Sequence, residues 1–351
     1  MFGWLASSIF RHVHDLLQSD DGQFRETVFF YYGFGGLVLI AVYSATSFYT
    51  ESIYRLVPLV LLAAAYKGGI LSVLNASEKY RYFFYSNMGF AAALFIFLFL
   101  CWQGSDDDLA RFMSVYAGID IVIAIVFWRL IGVFKLFPLP HFNRGVAIRY
   151  LHYGLPLVMS NVAVWVVALS DRYFLALWES PEQVADYILS YQLAGSLITI
   201  PMAFVMAVVF PKIIRLDRES GEKYALRYVY RLLRIYMRYM IGIVLLGCVI
   251  VIPFKYYFYS EYAFNPVVIV IIILAHVVFG LSHFYNKEFE LNGKTLIVTR
   301  GIGLGAVLNV VLNLALVPIW GGVGAALATL AAYSVSVIFV RNARSYLVAV
   351  V

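Results

Sequence analysis

Residues 308–329 read LNVVLNLALVPIWGGVGAALAT, two apolar runs that meet at Pro318 and the pair Gly321 and Gly322. Pro and Gly together are turn chemistry, so the stretch reads as a helix, a tight turn and a second helix. Asn309 and Asn313 lie one turn apart and share a face of the first helix. Gly324, Ala325, Ala326 and Ala328 give the second helix a small-residue face. Such faces let membrane helices pack closely where lipid removes the hydrophobic drive to associate.

The spans that hold this turn, roughly 297–317 and 322–341, belong to a longer series. With 235–254 and 264–286 they repeat four earlier spans, 27–48, 54–76, 85–103 and 112–133, about 210 residues upstream. Two more, 152–177 and 188–213, stand in front of the later four. A bilayer core of about 30 Å takes about 20 apolar residues per helix, and each span approaches or exceeds that length. With 63% hydrophobic and 13% charged residues, the chain reads as all-α and integral to a membrane, with about ten transmembrane helices. The connections leave no room for a separate soluble domain.

An even number of spans separates the two copies, so each starts on the same side. That predicts two parallel-repeat lobes, an arrangement in which transporters commonly place the substrate path between the halves. The expected organisation is a first lobe at 1–133, a linker at 134–150 carrying Pro138, Pro140 and Gly145, a six-helix second lobe at 151–345 and a tail at 346–351. The first lobe is expected to be incomplete. The repeat offset puts the partners of 152–177 and 188–213 mostly before residue 1, and 1–10 aligns with the end of 188–213. The alternative is an interfacial amphipathic helix at 1–14 and a ten-helix design.

With residues 1–26 set in the cytoplasm, 21 of the 26 Lys and Arg residues fall in cytoplasmic loops and helix ends. The other side holds Arg55, Arg111 and Lys255 among acidic residues such as Asp106, Glu182 and Asp186. This bias predicts that orientation, with both termini cytoplasmic. Cys101 and Cys248 sit in or at the end of spans and suggest neither a disulfide framework nor a metal site. The six histidines show no metal-ligand spacing. No GxxxxGK[ST] loop is present, which argues against direct use of ATP.

A charge at the bilayer centre costs roughly 2.5–3.5 kcal/mol on insertion scales, so charges inside spans mark candidate sites. Lys67, beside Gly68 and Gly69, either reaches the interface or meets a headgroup. Asp120 either pairs with Lys67 or couples transport to a cation. Asp171 and Arg172 point about 100° apart; the first is expected to anchor helices and the second to face a lumen or reach outward. Asn161 and Trp165, one turn apart, are candidates for the same path or for packing. Asn309 and Asn313 serve either interhelical hydrogen bonding or contact with a sugar or pyrophosphate. In the longest loop, 212–234, and just past it, Arg227, Arg231, Arg234 and Arg238 recur on one helical face. That face suits anionic headgroups or reflects topology alone.

Two stretches carry a resemblance. YGLPLVMSN at 153–161 leads into SDRYFL at 170–175, and the 308–329 hairpin follows in order. Together they resemble the polysaccharide-biosynthesis (O-antigen or exopolysaccharide) flippases of the multidrug/oligosaccharidyl-lipid/polysaccharide exporter superfamily. That family has twelve or more helices in two six-helix lobes, so the chain departs from it at its start. The resemblance implies a transporter rather than an enzyme. It would move an undecaprenyl-pyrophosphate-linked oligosaccharide across the bacterial cytoplasmic (inner) membrane by alternating access. It implies coupling to protons or sodium ions and no cofactor, membrane lipids as surroundings, and polymerase and chain-length proteins as partners, with no nucleic acid. The rival readings are a multidrug/cation antiporter of the same superfamily, a membrane-embedded polysaccharide polymerase or glycosyltransferase, and a nonfunctional or regulatory remnant.

Overall fold

The computed structural model describes residues 60, 63–64, 67–68, 80–101, 107–131, 144–259 and 265–348. Spans 27–48 and most of 54–76, the fragment 1–10, the first part of the 134–150 linker and the end of the tail lie outside these residues. The regular elements described are α1 (Tyr80–Cys101), α2 (Asp107–Ile131), α3 (Arg144–Trp178), α4 (Pro181–Ser220), α5 (Glu222–Phe258), α6 (Pro266–Leu291) and α7 (Thr295–Val348). All are α-helices. By contacts the chain divides into two compact units, Met1–Leu155 and Pro156–Val351.

In the first unit α1 packs on α2, with Phe90 and Tyr116 in edge contact at a centroid distance of 5.0 Å. In the second, α6 is the central helix and packs against α4, α5 and α7. Its sequence, PVVIVIIILAHVVFG before the first charged residues, is apolar all round. A helix of that kind belongs inside a bundle, and Ile269, Ile272, Ile273, Ala275 and Val277 are fully buried.

The helix ends follow from local chemistry. Ser180 caps α4 in a reciprocal capping box with Gln183, and Pro181 occupies the first turn, where its missing N–H costs nothing. Asn265 caps α6 through the Val267 amide at 3.1 Å, again followed by Pro. Gly221, at φ +87°, turns the chain between α4 and α5.

The 308–329 stretch forms the hairpin its sequence suggests. α7 breaks at Gly321, whose φ of 51° and ψ of −130° lie outside helical geometry. The small-residue face then packs as the sequence predicts: Ala325, Ala326 and Ala328 are fully buried. A Cβ at Gly324 would stand 2.4 Å from the Leu316 carbonyl oxygen, so the two halves of α7 touch backbone to backbone.

Five helices among the described residues are long and apolar enough to cross a membrane. One of them is α7, which at 54 residues is about 80 Å long and doubles back at Gly321. Large apolar side chains such as Phe204, Ile241, Leu245 and Val249 are widely exposed. On this scale such exposure fits a lipid-facing surface and not a soluble one. The chain is an all-α, multi-pass membrane protein.

Three sequence expectations differ from the structure. The 212–234 segment is no loop: α4 runs to Ser220 and α5 starts at Glu222, so its arginines are helical throughout. The segment read as linker is already helical from Arg144, where α3 begins. Lys255 and Asp186, which fall just outside the expected spans 235–254 and 188–213, sit within α5 and α4 and are 1% and 7% exposed. Each is flanked by enough apolar helix to be drawn inside once it has a partner.

Candidate functional site

Four helical segments converge on one carboxylate. Asp171 of α3 is fully buried, and four side-chain donors point at it. The Tyr187 hydroxyl of α4 donates to Oδ2 at 2.6 Å and the Thr329 hydroxyl, beyond the α7 break, donates at 2.7 Å. The Asn313 amide donates to Oδ1 at 2.7 Å and the Asn309 amide at 3.4 Å, both from the first half of α7. Ser170 donates to Asn309 Oδ1 at 2.6 Å, which fixes that amide's orientation. Moving a bare carboxylate from water into an apolar medium costs tens of kcal/mol by Born solvation. This cage of donors is what lets the group lie at the centre of the unit.

The cage is not saturated. Asn313 Oδ1 is buried and has no hydrogen-bond partner. The atoms that meet at Asp171 and could hold a cation are its own carboxylate oxygens and the Tyr187 and Thr329 hydroxyl oxygens. Such a set suits a proton or a small hard cation better than a soft metal. No group of three His, Cys, Asp or Glu side chains that could hold a metal occurs among the described residues.

The structure brings Asp171, Asn309 and Asn313 together in one hydrogen-bond network. Their neighbour Arg172 lies outside it, partly exposed and without an ion pair among the described residues. Asn161 is exposed on α3, and Trp165, one turn on, is 64% exposed. In the first unit, Lys67 pairs with the fully buried Asp120. The Lys67 ammonium also lies 3.4 Å from the centre of the Phe90 ring, with Tyr116 at 5.5 Å. Ion pair and cation–π contacts together satisfy this charge locally.

Arg227, Arg231, Arg234 and Arg238 are all exposed on one side of α5. Ala225, Val229 and Leu233 are buried on the opposite side. Arg234 Nε reaches the Tyr230 carbonyl at 3.4 Å, and Arg227 lies 5.4 Å from the centre of the Tyr224 ring.

Sequence reasoning missed several members. Tyr187 and Thr329 read as ordinary span residues, because only the folded bundle turns their hydroxyls onto Asp171. It also missed a second buried cluster, in which Lys255 pairs with Asp186 and donates to Ser190 at 2.7 Å. The available signal was Asp186 and Ser190 one turn apart in α4. His276 is a third: it is buried, its Nδ1 lies 2.9 Å from the Ile272 carbonyl, and its ring edge-packs with Tyr191 at 5.1 Å.

No protein-family model matches the sequence, and no curated protein matches it. Solved structures do. A crystal structure of a MATE point mutant superposes with a TM-score of 0.71 at 12% identity, covering 99% of this chain and 84% of that one. An outward-facing multidrug resistance MATE family transporter of the MOP superfamily gives 0.69 at 14% identity, covering 99% and 83%. A MATE in the bent conformation gives 0.69 at 13% identity with the same coverage. At these identities the likeness is one of fold: the chain has the MATE transporter fold.

Proposed function

We propose that this chain is a lipid-linked oligosaccharide flippase, moving an undecaprenyl-pyrophosphate-linked sugar unit across the bacterial cytoplasmic membrane by alternating access for surface polysaccharide synthesis. The observation that carries the transporter part is the MATE fold over 99% of the chain. The substrate class rests on the 153–175 and 308–329 motifs, and the orientation, with both termini cytoplasmic, on the positive-inside bias. Polymerase and chain-length proteins of the same route are the expected partners. The reading makes the chain a transporter and not an enzyme.

The Asp171 cage is the proposed coupling point for a proton or sodium ion. A carboxylate held by four neutral donors changes its interactions with α3, α4 and both halves of α7 when a cation binds it. That ties one ion to the packing of four helical segments, which is what a coupled transporter requires. Arg172 and Lys67 remain the proposed cationic groups of the path, with Asn161 beside it and the α5 arginines gathering anionic headgroups.

A second reading is a multidrug/cation antiporter, favoured by the name of one MATE relative, a multidrug resistance transporter. Gene deletion separates the two. The flippase reading expects loss of surface polysaccharide with lipid-linked units accumulating inside, and unchanged drug susceptibility. Normal export in a strain without a redundant flippase would refute it. In the complemented strain, Asp171→Asn and Arg172→Ala should each abolish export at unchanged membrane abundance.

A further inference from the structure

Between Pro266 and Leu281 the central helix α6 carries one polar side chain, His276. It lies about 15 Å along the helix from Pro266, at the midplane of a hydrocarbon core about 30 Å thick. It is 5% exposed, and an ionisable group buried at that depth is costly unless it has a use. We infer that His276 is a proton-relay residue: it takes a proton at Nε2 and passes it through the Tyr333 and Tyr191 hydroxyls toward Asp171. The inference rests on the reading of the Asp171 cage as the coupling point. It names the coupling ion as a proton and the group that delivers it.

Three observations carry it. The first is the state of the ring. His276 Nδ1 lies 2.9 Å from the Ile272 carbonyl oxygen. A carbonyl oxygen only accepts, so the hydrogen of the neutral ring sits on Nδ1 and Nε2 keeps a bare lone pair. Nε2 makes no hydrogen bond among the described residues. A Cβ at Gly195 of α4 would stand 2.8 Å from Nε2, so it is a glycine that admits this nitrogen. Asp171 is the opposite case, since four donors already point at its oxygens. A proton reaches that carboxylate when one of the hydroxyls gives up its own, and the incoming proton needs a base on the way.

The second is alignment. Tyr187 and Tyr191 lie one turn apart on α4, as do Thr329 and Tyr333 on α7. Tyr187 and Thr329 donate to Asp171 Oδ2. One turn deeper, the Tyr191 and Tyr333 hydroxyl oxygens meet at 3.5 Å. The His276 ring packs edge-on against both, at centroid distances of 5.1 Å and 6.0 Å. Tyr191 and Tyr333 are thus the titratable groups that α4 and α7 turn toward the imidazole. From α5 comes Tyr236, whose hydroxyl is held by the Val277 carbonyl at 2.8 Å. The two tiers are one turn, about 5–6 Å, apart, a gap that one water molecule spans. Nε2 hands its proton to Tyr333 as Tyr333 hands its own to Tyr191. Tyr191 passes one through the water to Tyr187, whose proton goes to Asp171 Oδ2. One N–H is lost at His276, one O–H is gained at Asp171, and each hydroxyl ends with one hydrogen.

The third is the line toward water. His276, His283, Lys287 and Glu290 fall at i, i+7, i+11 and i+14, one face of α6. It runs from the midplane to the helix end that the charge bias assigns to the cytoplasm. His283 lies about 10 Å along the helix from His276. Phe279 packs between the tiers, 5.4 Å from His283 and 4.5 Å from Tyr333 by ring centres. Lys287 is the charged group acting on His283, and it pairs with Glu290 at 2.6 Å. The internal repeat adds independent support. Its offset of about 210 residues puts Lys67 at the place of His276 to within one residue. The same helix position carries a permanent cation in the first unit, paired with Asp120, and a titratable one in the second.

The test releases protons from a caged acid by a laser flash, taking the full chain in phosphatidylcholine bilayers from about pH 8 to about pH 5 in sodium-free buffer. Infrared difference spectra follow the acid band of Asp171, assigned by Asp171→Asn, and the imidazole bands, assigned by ring nitrogen-15 labelling. His276→Gln keeps a donor for the Ile272 carbonyl. It should slow the rise of the Asp171 acid band at least tenfold and leave its final amplitude unchanged, a split that a structural role would not produce. Tyr333→Phe should slow it likewise, and so should Gly195→Ala, which keeps the histidine but crowds Nε2. Tyr236→Phe, off the line, should leave the rate as it is. Melting temperatures establish that each variant folds.

Equal rates in the wild type and His276→Gln would overturn the inference. So would the absence of an Asp171 acid band where sodium chloride alone shifts the carboxylate bands, and that result would leave the coupling reading standing with sodium as the ion. If neither protons nor sodium change the Asp171 bands, the coupling reading falls and the relay with it. Slowed transfer in the variants, in a chain whose deletion leaves surface polysaccharide intact, upholds the relay and refutes the flippase reading instead.

Discussion

Replacing Tyr187 by Phe removes one hydroxyl and almost no volume, yet it takes a 2.6 Å donor from a carboxylate that has no contact with solvent. Hydrogen bonds to charged groups contribute about 1.5–3 kcal/mol, against about 0.5–1.5 kcal/mol for neutral pairs. The same chain supplies the neutral comparison: the Tyr236 hydroxyl donates to the Val277 carbonyl at 2.8 Å. For a cooperative unit of about 200 residues, such as Pro156–Val351, 1 kcal/mol moves the melting temperature by about 2–4 °C. Tyr187→Phe should therefore lower it by about 3–12 °C and Tyr236→Phe by about 1–6 °C. Thermal unfolding in detergent, followed by a thiol-reactive dye at the partly buried Cys248, reads both. Repeating Tyr187→Phe in an Asp171→Asn background isolates the charge, and the loss there should shrink to the neutral range. If both tyrosines cost the same and Asp171→Asn changes nothing, Asp171 carries no charge in the folded protein. The account of a caged carboxylate would then be wrong.

Further outcomes follow from other buried charges and from the backbone. Lys255→Met strands the Asp186 carboxylate and should cost about 3–5 kcal/mol, whereas Lys255→Met with Asp186→Leu should return close to wild type; detergent melts of the four combinations give the coupling. In the first unit, Lys67→Ala should lower membrane abundance, and adding Asp120→Leu should recover it, because the damage lies in the unpaired carboxylate. If the double variant restores abundance but not export, Lys67 has a role in the path beyond pairing. Gly321→Ala places a Cβ at φ +51°, 2.1 Å from the Glu179 carboxylate, and should cost about 1–3 kcal/mol even after Glu179 swings away. Sodium should raise the melting temperature of the wild type and leave Asp171→Asn unmoved if sodium is the coupling ion.

The residues differ in how much of their role could be read in advance. Helix positions followed from hydropathy because a bilayer imposes a length, and a run such as 264–286 has one way to satisfy its backbone in lipid. The α7 turn followed from Pro318 and Gly321, whose backbone preferences are local. The Lys67 and Asp120 positions stood out because charges in apolar runs are rare, and pairing was one of the two readings open to Asp120. Lys255 fell one residue past its expected span because it sits near a helix end, where hydropathy cannot distinguish a loop charge from one folded inward. Tyr187 and Thr329 gave no signal, since hydroxyls are common in spans and their partners are up to 158 residues away.

What the sequence determined alone was thus the one-dimensional part: which segments cross, where the chain turns, which charges are out of place. Those properties depend on neighbours along the chain and on the thickness of the bilayer. The tertiary structure decided which side chains share a point. It gathered Asp171, Tyr187, Asn309, Asn313 and Thr329 from four helical segments, and packed Ala163 and Ala306 into the cluster around Tyr333. Helix rotation and crossing set both features. In lipid these are fixed by close packing and interhelical hydrogen bonds, and neither leaves a periodic trace in the sequence.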